Sequence, residues 1–303
     1  MIFKSSGGIV VVKICRFLLI AIFIAVGVAA LVALGAVLVS CGIVTKPNEN
    51  YLLSFILLLY ALWIAFNLSP LGDTFQDLTL NTRKPSLREL TKLNAIVDEL
   101  NKRAEKSGIA SFPSPRLRMV SDESPNAMAF GSRSVAMTTG LLKGEEDQAR
   151  AVFAHELGHL VNKDTFYLSL KMSALQPLII TWDFLCLPII NFDNGNMSIL
   201  KILAMVFLSP LFIVGFSGVL LIRASNWFES LLSSTIEYKA DDYAIRLTRD
   251  EGLPNFLDFI APLDTPPANT FMASYTTSHP PTELRHGKVN KIFQEIPKFK
   301  EQK

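Results

Sequence analysis

One long apolar run near the amino terminus limits what this chain can fold into. Residues Phe17 to Val39 contain no charged side chain, and a helix of about 20 apolar residues is long enough to cross a bilayer. A second apolar run, Tyr51 to Leu68, follows after a short polar stretch. The two runs together predict an amino-terminal membrane hairpin over residues 1–71.

The composition agrees with an integral membrane protein. Half of the 303 residues are hydrophobic and only 18% are charged, whereas about a quarter of the residues in an average soluble domain are charged. The length allows one soluble domain of ordinary size besides a few membrane spans. The net charge is +2, and no basic run interleaved with aromatics appears, so no nucleic acid is expected as a partner.

A second pair of apolar stretches lies further along the chain. Ile202 to Ile222 is a clear candidate span, whereas Met172 to Ile190 is interrupted by polar residues and prolines. We expect a second membrane hairpin over residues 172–222, about four transmembrane segments in all. Whether the weaker stretch crosses the membrane completely, and what its Asp183 does, stay open.

The basic residues next to these stretches predict the orientation of the chain. Cytoplasmic flanks of membrane spans carry an excess of Lys and Arg. One side of the predicted spans has only Lys46 and Lys201, and the other has six basic residues: Lys13, Arg16, Arg83, Lys84, Lys171 and Arg223. Both termini and the two soluble stretches, residues 72–171 and 223–303, are therefore predicted to lie in the cytoplasm as the two parts of a catalytic domain.

The soluble stretches predict a mainly α fold with a small β-sheet. Ser86 and Glu89 form a capping box at the start of a helix that runs to about Lys106. Three short strands are predicted at Arg116 to Val120, Asn126 to Phe130 and Ser134 to Thr138. A second helix should extend from Glu145 to about Asn162.

The second of these helices carries the residues that indicate the chemistry. His155 and His159 are four residues apart and share one helix face, so two imidazoles can reach one tetrahedral zinc ion. Glu156, beside the first histidine, is placed to take the proton of the attacking water as its general base. This His-Glu-x-x-His pattern predicts a zinc peptidase.

A catalytic zinc site needs a third protein ligand and an open position. His279, His286 and several acidic residues are candidates, and Glu237 is the best of them because Asp241 lies one helical turn away from it. Glu237 would bind the metal. Asp241 would accept a hydrogen bond from a ligand histidine and fix its tautomer.

Three motifs in this order resemble the HtpX-type heat-shock zinc proteases, in the membrane metallopeptidase family that also includes the Ste24 endopeptidase. They are His155-Glu-Leu-Gly-His159, Glu237-x-x-Ala-Asp241 and Ser-His-Pro-Pro-Thr-Glu-Leu-Arg at 278–285. The similarity covers nearly the whole chain. It departs from the family just before the ligand glutamate, where Ser234 and Ile236 replace frequent arginines.

The resemblance implies roles for further residues. His279 would donate a hydrogen bond to the oxyanion as a second catalytic residue, and Arg285 would support the transition state. An extended substrate would pair with an edge strand, which gives affinity with little sequence selectivity. That strand consists of Asn126, Ala127, Met128, Ala129 and Phe130.

These observations together predict a zinc-dependent endopeptidase with one Zn²⁺ per chain. It would cleave misfolded or membrane proteins at the cytoplasmic face of the bacterial inner membrane, as a stress-response enzyme of protein quality control. A site-specific processing peptidase of the same chemistry and a catalytically idle zinc-binding scaffold are the alternatives, and Glu156 argues against the scaffold. The sequence does not fix natural substrates, regulation or oligomeric state.

Overall fold

The computed structural model describes residues 6–40, 49–109, 112–190, 216, 219–220, 222–224, 233–261 and 282–295. In chain order its elements are α1 (Ser6–Ser40), α2 (Glu49–Asn67), α3 (Pro70–Thr79), α4 (Leu87–Ser107), β1 (Arg116–Val120), β2 (Ala127–Phe130), β3 (Ser134–Thr138), α5 (Thr139–Lys143), α6 (Glu146–Val161), α7 (Asp164–Ile190), α8 (described over 233–248), α9 (Gly252–Ile260) and α10 (Thr282–Glu295). The predicted class, mainly helical with a small sheet, is confirmed.

The chain divides into two compact units. One contains residues 1–67 and 168–229, and the other contains 68–167 and 230–303. The predicted assignment of these parts to membrane hairpins and a catalytic domain stays a prediction. Among the described residues no single helix is long and apolar enough to span a bilayer by itself, although the bent pair Leu53–Asn67 and Pro70–Thr79 meets that criterion together.

In the first unit, apolar side chains of α1 pack against α7. Phe23 forms a small buried cluster with Ala174 and Leu175, and the hydroxyl of Tyr60 donates a 3.0 Å hydrogen bond to the Ala174 carbonyl. Helix α7 is continuous to Ile190, so the prolines and polar residues of this stretch do not end it. The Ile202 to Ile222 stretch lies mostly outside the described residues.

In the second unit, α4 begins at the predicted capping box. The Ser86 hydroxyl accepts from the Glu89 amide at 3.4 Å, and the Glu89 carboxylate accepts from the Ser86 amide at 2.7 Å. The helix ends at Gly108, whose φ of 65° suits a residue without a Cβ. Its buried face joins the main core through Leu93, Ile96, Leu100 and Ala104.

The sheet has three strands in the order β1-β3-β2, at the positions predicted from the sequence. Strand β3 pairs with β1 in parallel and with β2 in antiparallel orientation. Every residue of β3 is buried, whereas β2 lies at the edge. The turn between β2 and β3 contains Gly131 with a φ of 61°. The predicted substrate strand is therefore an edge strand, joined to the sheet on one side.

Candidate metal centre

Helix α6 places its two histidines on one buried face. Its first turn carries Glu146 and Asp147, whose charges favour the amino-terminal end of the helix dipole. The ring nitrogens Nε2 of His155 and His159 lie 3.2 Å apart. Both histidines and Glu156 belong to the part of α6 that packs into the core, so water has limited access to them.

Helix α8 brings Glu237 to the same point. Its Oε2 lies 3.3 Å from Nε2 of His155, and its Oε1 lies 3.5 Å from Nε2 of His159. Ligand atoms about 2.0–2.2 Å from a tetrahedral zinc lie about 3.3–3.6 Å from one another. The three separations are close to this range, although Glu237 meets each histidine with a different carboxylate oxygen. The three predicted ligands form a possible metal-binding group among the described residues.

A glycine allows the two ligand helices to approach this closely. A Cβ placed on Gly158 would lie 2.9 Å from the Cα of Ala240 and 3.2 Å from its carbonyl oxygen. Because both contacts are with backbone atoms of α8, a larger residue would force the helices apart. The glycine of the His-Glu-Leu-Gly-His segment therefore has a packing role that its position in the motif does not reveal.

Asp241 contacts the ring of His155 on the side opposite Glu237. Its Oδ1 lies 2.9 Å from Nδ1 of His155, so the ring nitrogen Nε2 remains directed at Glu237. Burial lowers the pKa of His155, but the hydrogen bonds and charges of Asp241 and Glu237 outweigh it and raise the pKa to about 10. The carboxylates thus give this pocket a strong preference for a positive charge at the imidazoles.

Arg285 balances part of that negative charge. Its Nη2 and Nε donate to the Asp241 carboxylate at 2.7 Å and 3.1 Å, and its Nη1 lies 3.8 Å from Oε2 of Glu237. Arg285 therefore binds Asp241, the carboxylate that contacts His155. The role in the transition state that the family implies stays a prediction. His279 lies outside the described residues.

The second histidine has a carboxylate partner that the sequence analysis missed. Oδ2 of Asp164, at the start of α7, lies 3.1 Å from Nδ1 of His159. Between the two helices Lys163 adopts a φ of 62°, and this left-handed residue breaks the helix so that Asp164 can reach the ring. A five-residue spacing within one helix would have placed the carboxylate on another face, so only the helix break makes the contact.

The predicted general base touches the edge strand. Oε2 of Glu156 accepts a 2.6 Å hydrogen bond from the backbone amide of Ala129. The Asn126 carbonyl accepts from Thr138 of the neighbouring strand, and backbone groups of an antiparallel edge strand point alternately toward and away from their partner. The backbone groups of Ala127 and Ala129 therefore face away from β3, on the side where Glu156 lies.

A cleft of about 310 Å³ opens beside these groups. Its polar wall contains His155, Glu156 and Arg285, and residues 124–127 before and at the start of β2 form its rim. The remaining wall is apolar and consists of Val152, Leu253, Phe256 and Ile260. The cleft thus combines a metal-facing polar side with an apolar pocket.

Comparisons with known proteins agree with this arrangement. The sequence model described as "Peptidase family M48" matches residues 89–292. A "Protease HtpX homolog" of Pyrococcus abyssi is 27% identical over an alignment of 291 residues that covers 87% of this chain and 93% of the relative. The "Protease HtpX" of Haemophilus influenzae (strain PittGG) is 26% identical over an alignment of 287 residues that covers 88% of this chain and 96% of that protein.

Among solved structures, the crystal structure of Ste24p from S. mikatae resembles the chain with a TM-score of 0.46 and 17% sequence identity, over 94% of this chain and 67% of that one. The family match covers more than half of the chain and includes both ligand helices. The resemblance to HtpX-type proteases is confirmed, and the chain belongs to peptidase family M48.

Proposed function

We propose that the chain is a zinc-dependent membrane endopeptidase that cleaves misfolded or membrane proteins at the cytoplasmic face. One observation carries the proposal. His155, His159 and Glu237 each bring a ligand atom within 4.8 Å of the other two, and Glu156, next to His155 in the chain, is hydrogen-bonded to an edge strand.

The metal, Glu156 and the Ala129 amide have different roles in peptide hydrolysis. When bound, zinc supplies a Lewis acid that lowers the pKa of water and polarises the scissile carbonyl. Glu156 accepts the proton of the attacking water at its carboxylate and passes it to the departing amine. The Ala129 amide holds one oxygen of that carboxylate and so limits its rotation. No covalent bond forms between the enzyme and the substrate.

The edge strand and the cleft define the kind of substrate. An extended peptide can form main-chain hydrogen bonds with the outward backbone groups of Ala127 and with the carbonyl of Ala129, whose amide is engaged by Glu156. These contacts do not depend on the side chains of the substrate. The cleft beside Glu156 accepts an apolar side chain next to the scissile bond through its wall of Val152, Phe256 and neighbouring apolar residues. An unfolded segment can adopt this extended form, whereas a folded protein cannot.

The same cleft would also suit a site-specific processing peptidase. The two functions differ in the range of sequences cut, because a processing enzyme cleaves one site and a quality-control enzyme cleaves many. Mass spectrometry of the peptides released from an unfolded protein distinguishes them. Many cleavage sites that share only an apolar residue would support the quality-control function.

The membrane part of the proposal is supported by the apolar runs and their basic flanks. Reporter fusions after Leu80 and at Lys303 should report the cytoplasm, and a fusion at Asn48 should report the opposite side. A fusion at Lys303 that reports the outside would contradict this topology, since His159 and Glu237 must reach one metal ion on the same side of the membrane.

The test of the catalytic proposal uses the full chain, purified in detergent with zinc and incubated with unfolded casein. Glu156→Gln should retain zinc, because all three ligands remain, and should lose at least about 10²-fold in cleavage rate. Glu105→Gln, on the exposed side of α4, is the matched control and should cleave normally. A chelator should abolish cleavage and added zinc should restore it. Near-normal cleavage by Glu156→Gln would refute the assignment.

A further inference from the structure

Helix α3 has its polar side turned inward and its apolar side turned outward. Its buried residues are Gly72, Asp73 and Asp77. Leu71 and Leu78 are 69% and 78% exposed, and Phe75 is 38% exposed. At about 100° per residue, positions 71, 75 and 78 fall within an arc of about 60° on the helix surface. We call these three side chains the apolar stripe of α3.

Ion pairs hold the helix in this orientation. Asp77 pairs with Arg116 and Arg118 of β1 and accepts from the hydroxyl of Thr82. Both arginine side chains and the aspartate are mostly buried, so their separation would leave uncompensated charges. Rotation of α3 to bury Leu71 and Leu78 would break these pairs.

A second anchor joins α3 to the turn between β2 and β3. Asp73 accepts from the backbone amide of Ser132 at 3.0 Å and from its hydroxyl at 2.6 Å. Gly131 lies so close that a Cβ on it would overlap the Asp73 carboxylate. The inner face of α3 is thus attached to strand β1 and to the turn between β2 and β3.

The outward face of α3 contains no charge. Its exposed residues, besides the stripe, are Pro70, Thr74 and Thr79, and both acidic residues of the helix are buried. Single exposed apolar residues are ordinary on soluble proteins, but an uncharged apolar stripe marks a surface that is covered by something.

Continuity along the chain identifies what covers it. Only Leu68 and Ser69 separate α3 from α2, whose exposed residues include Leu58, Leu59 and Leu62. The exposed basic residues Lys84 and Arg88 follow α3 and suit anionic headgroups. We propose that α3 lies in the headgroup region of a bilayer with its apolar stripe inserted among the acyl chains. This inference rests on the membrane part of the proposed function.

The attachment of α3 to the sheet gives the contact a consequence for catalysis. Asp77 links the helix to β1, and Asp73 links it to the turn that ends β2. A bilayer that holds α3 therefore also holds the β2 edge at a fixed height above the lipid. Unfolded segments that emerge from the bilayer would reach this edge before they could diffuse into the cytoplasm.

Spin labels on the full chain test the placement. After replacement of Cys15, Cys41 and Cys186, single cysteines are introduced at Leu71 and Leu78 and labelled, and the protein is reconstituted in phosphatidylcholine–phosphatidylglycerol vesicles. Leu18, an exposed residue of α1, serves as the lipid reference, and Lys102, on the exposed side of α4, serves as the water reference. Labels at 71 and 78 should collide preferentially with oxygen, as at 18, and the label at 102 with a soluble nickel complex.

Each other result overturns the inference in a distinguishable way. Nickel-accessible labels at Leu71 and Leu78 beside a lipid-embedded label at Leu18 would refute the role of α3 alone. A nickel-accessible label at Leu18 would refute the membrane insertion of α1 and, with it, the placement of α3 in the bilayer. The peptidase activity would still be tested separately by casein cleavage. Spin–spin broadening at 71 and 78 that disappears on dilution with unlabelled protein would show that a second copy covers the stripe.

A functional measurement accompanies the labels. The double variant Leu71→Gln/Leu78→Gln should slow cleavage of a lipid-anchored reporter peptide on the order of tenfold, equivalent to about 1.4 kcal/mol of lost surface attachment. Cleavage of the same peptide free in solution should be unchanged, because neither leucine lines the cleft. Equal rates on the anchored peptide for the double variant and the parent would contradict the proposal.

Discussion

Asp241 lies 2.9 Å from Nδ1 of His155, on the side of the ring that faces away from Glu237. The carboxylate thereby assigns the ring proton to Nδ1 and leaves Nε2 to the metal. Its neighbour Asp242 pairs instead with Arg246 at 2.8 Å on a partly exposed part of the helix. Two adjacent aspartates on one helix thus have different surroundings and should have different functions.

We expect Asp241→Ala to lose zinc affinity and casein cleavage by about 10–100-fold, with partial recovery in excess zinc. The loss of a buried carboxylate would also leave Arg285 without its main partner. Asp242→Ala should be close to neutral, since it removes only an exposed ion pair. Both variants are measured in matched detergent. If Asp242→Ala were the damaging change, the role assigned to Asp241 would be wrong.

Asp164 should matter to His159 in the same way. Asp164→Asn keeps the size of the side chain at the start of α7 but removes the charge that fixes the ring, and zinc affinity should fall by about 10–100-fold. Asp258→Asn is the control, because that carboxylate is exposed and pairs with His286 away from the metal ligands. Equal zinc titrations for the two variants would show that the 3.1 Å contact of Asp164 has no influence on the site.

Gly158→Ala should weaken zinc binding without touching a ligand. The added methyl group meets the backbone of Ala240, so α6 and α8 must separate and the distances to Glu237 must lengthen. Overpacking of this kind costs about 1–3 kcal/mol. Gly287→Ala is the matched control, since among the described residues no atom outside its own stretch of helix lies within 4 Å of the added Cβ. Gly158→Ala should unfold at a lower temperature and bind zinc more weakly than Gly287→Ala. Unchanged values for Gly158→Ala would contradict the close approach of α6 and α8.

Proline substitutions at two neighbouring positions of β2 should affect different properties, cleavage in one case and thermal stability in the other. Ala129→Pro removes an amide that points away from β3 and holds Glu156, so cleavage should fall while zinc content and folding are kept. Met128→Pro removes an amide that points toward β3 and should lower the thermal stability of the sheet. Zinc content, unfolding temperature and casein cleavage are measured for both. Normal cleavage by a folded Ala129→Pro variant would show that the Ala129 amide is not needed to position Glu156.

The capping box of α4 should give a pH-dependent contribution to stability. The hydrogen bond from Arg83 lowers the pKa of Glu89 to about 2, below the value of about 4.3 for an unfolded chain. Because the pKa is lower in the folded state, the ionised Glu89 carboxylate stabilises the folded protein at pH values above about 4.3. This stabilisation is lost as the pH falls toward 2. Glu89→Gln should therefore speed hydrogen exchange at the start of α4 at pH 7, and the difference should shrink near pH 3. A difference that is independent of pH would contradict the ionic origin.

Short-range patterns in the sequence determined much of this protein. The capping box of Ser86 and Glu89, the alternation within the strands and the four-residue spacing of His155 and His159 each depend on contacts within one turn or one strand. Such contacts are fixed by local backbone geometry, so the sequence predicted the elements and the placement of both histidines on one helix face. Glu237 and Asp241 followed from the same helical spacing together with the family resemblance.

Only the tertiary structure decided how these elements meet. The support of His159 by Asp164 depends on the reversal at Lys163, and the contact between Ala129 and Glu156 depends on how the sheet packs on α6. The passage of α8 close to Gly158 likewise appears only when the two helices cross. These contacts join separate elements through directional hydrogen bonds and close packing, and one-dimensional periodicity carries no information about the relative placement of two elements.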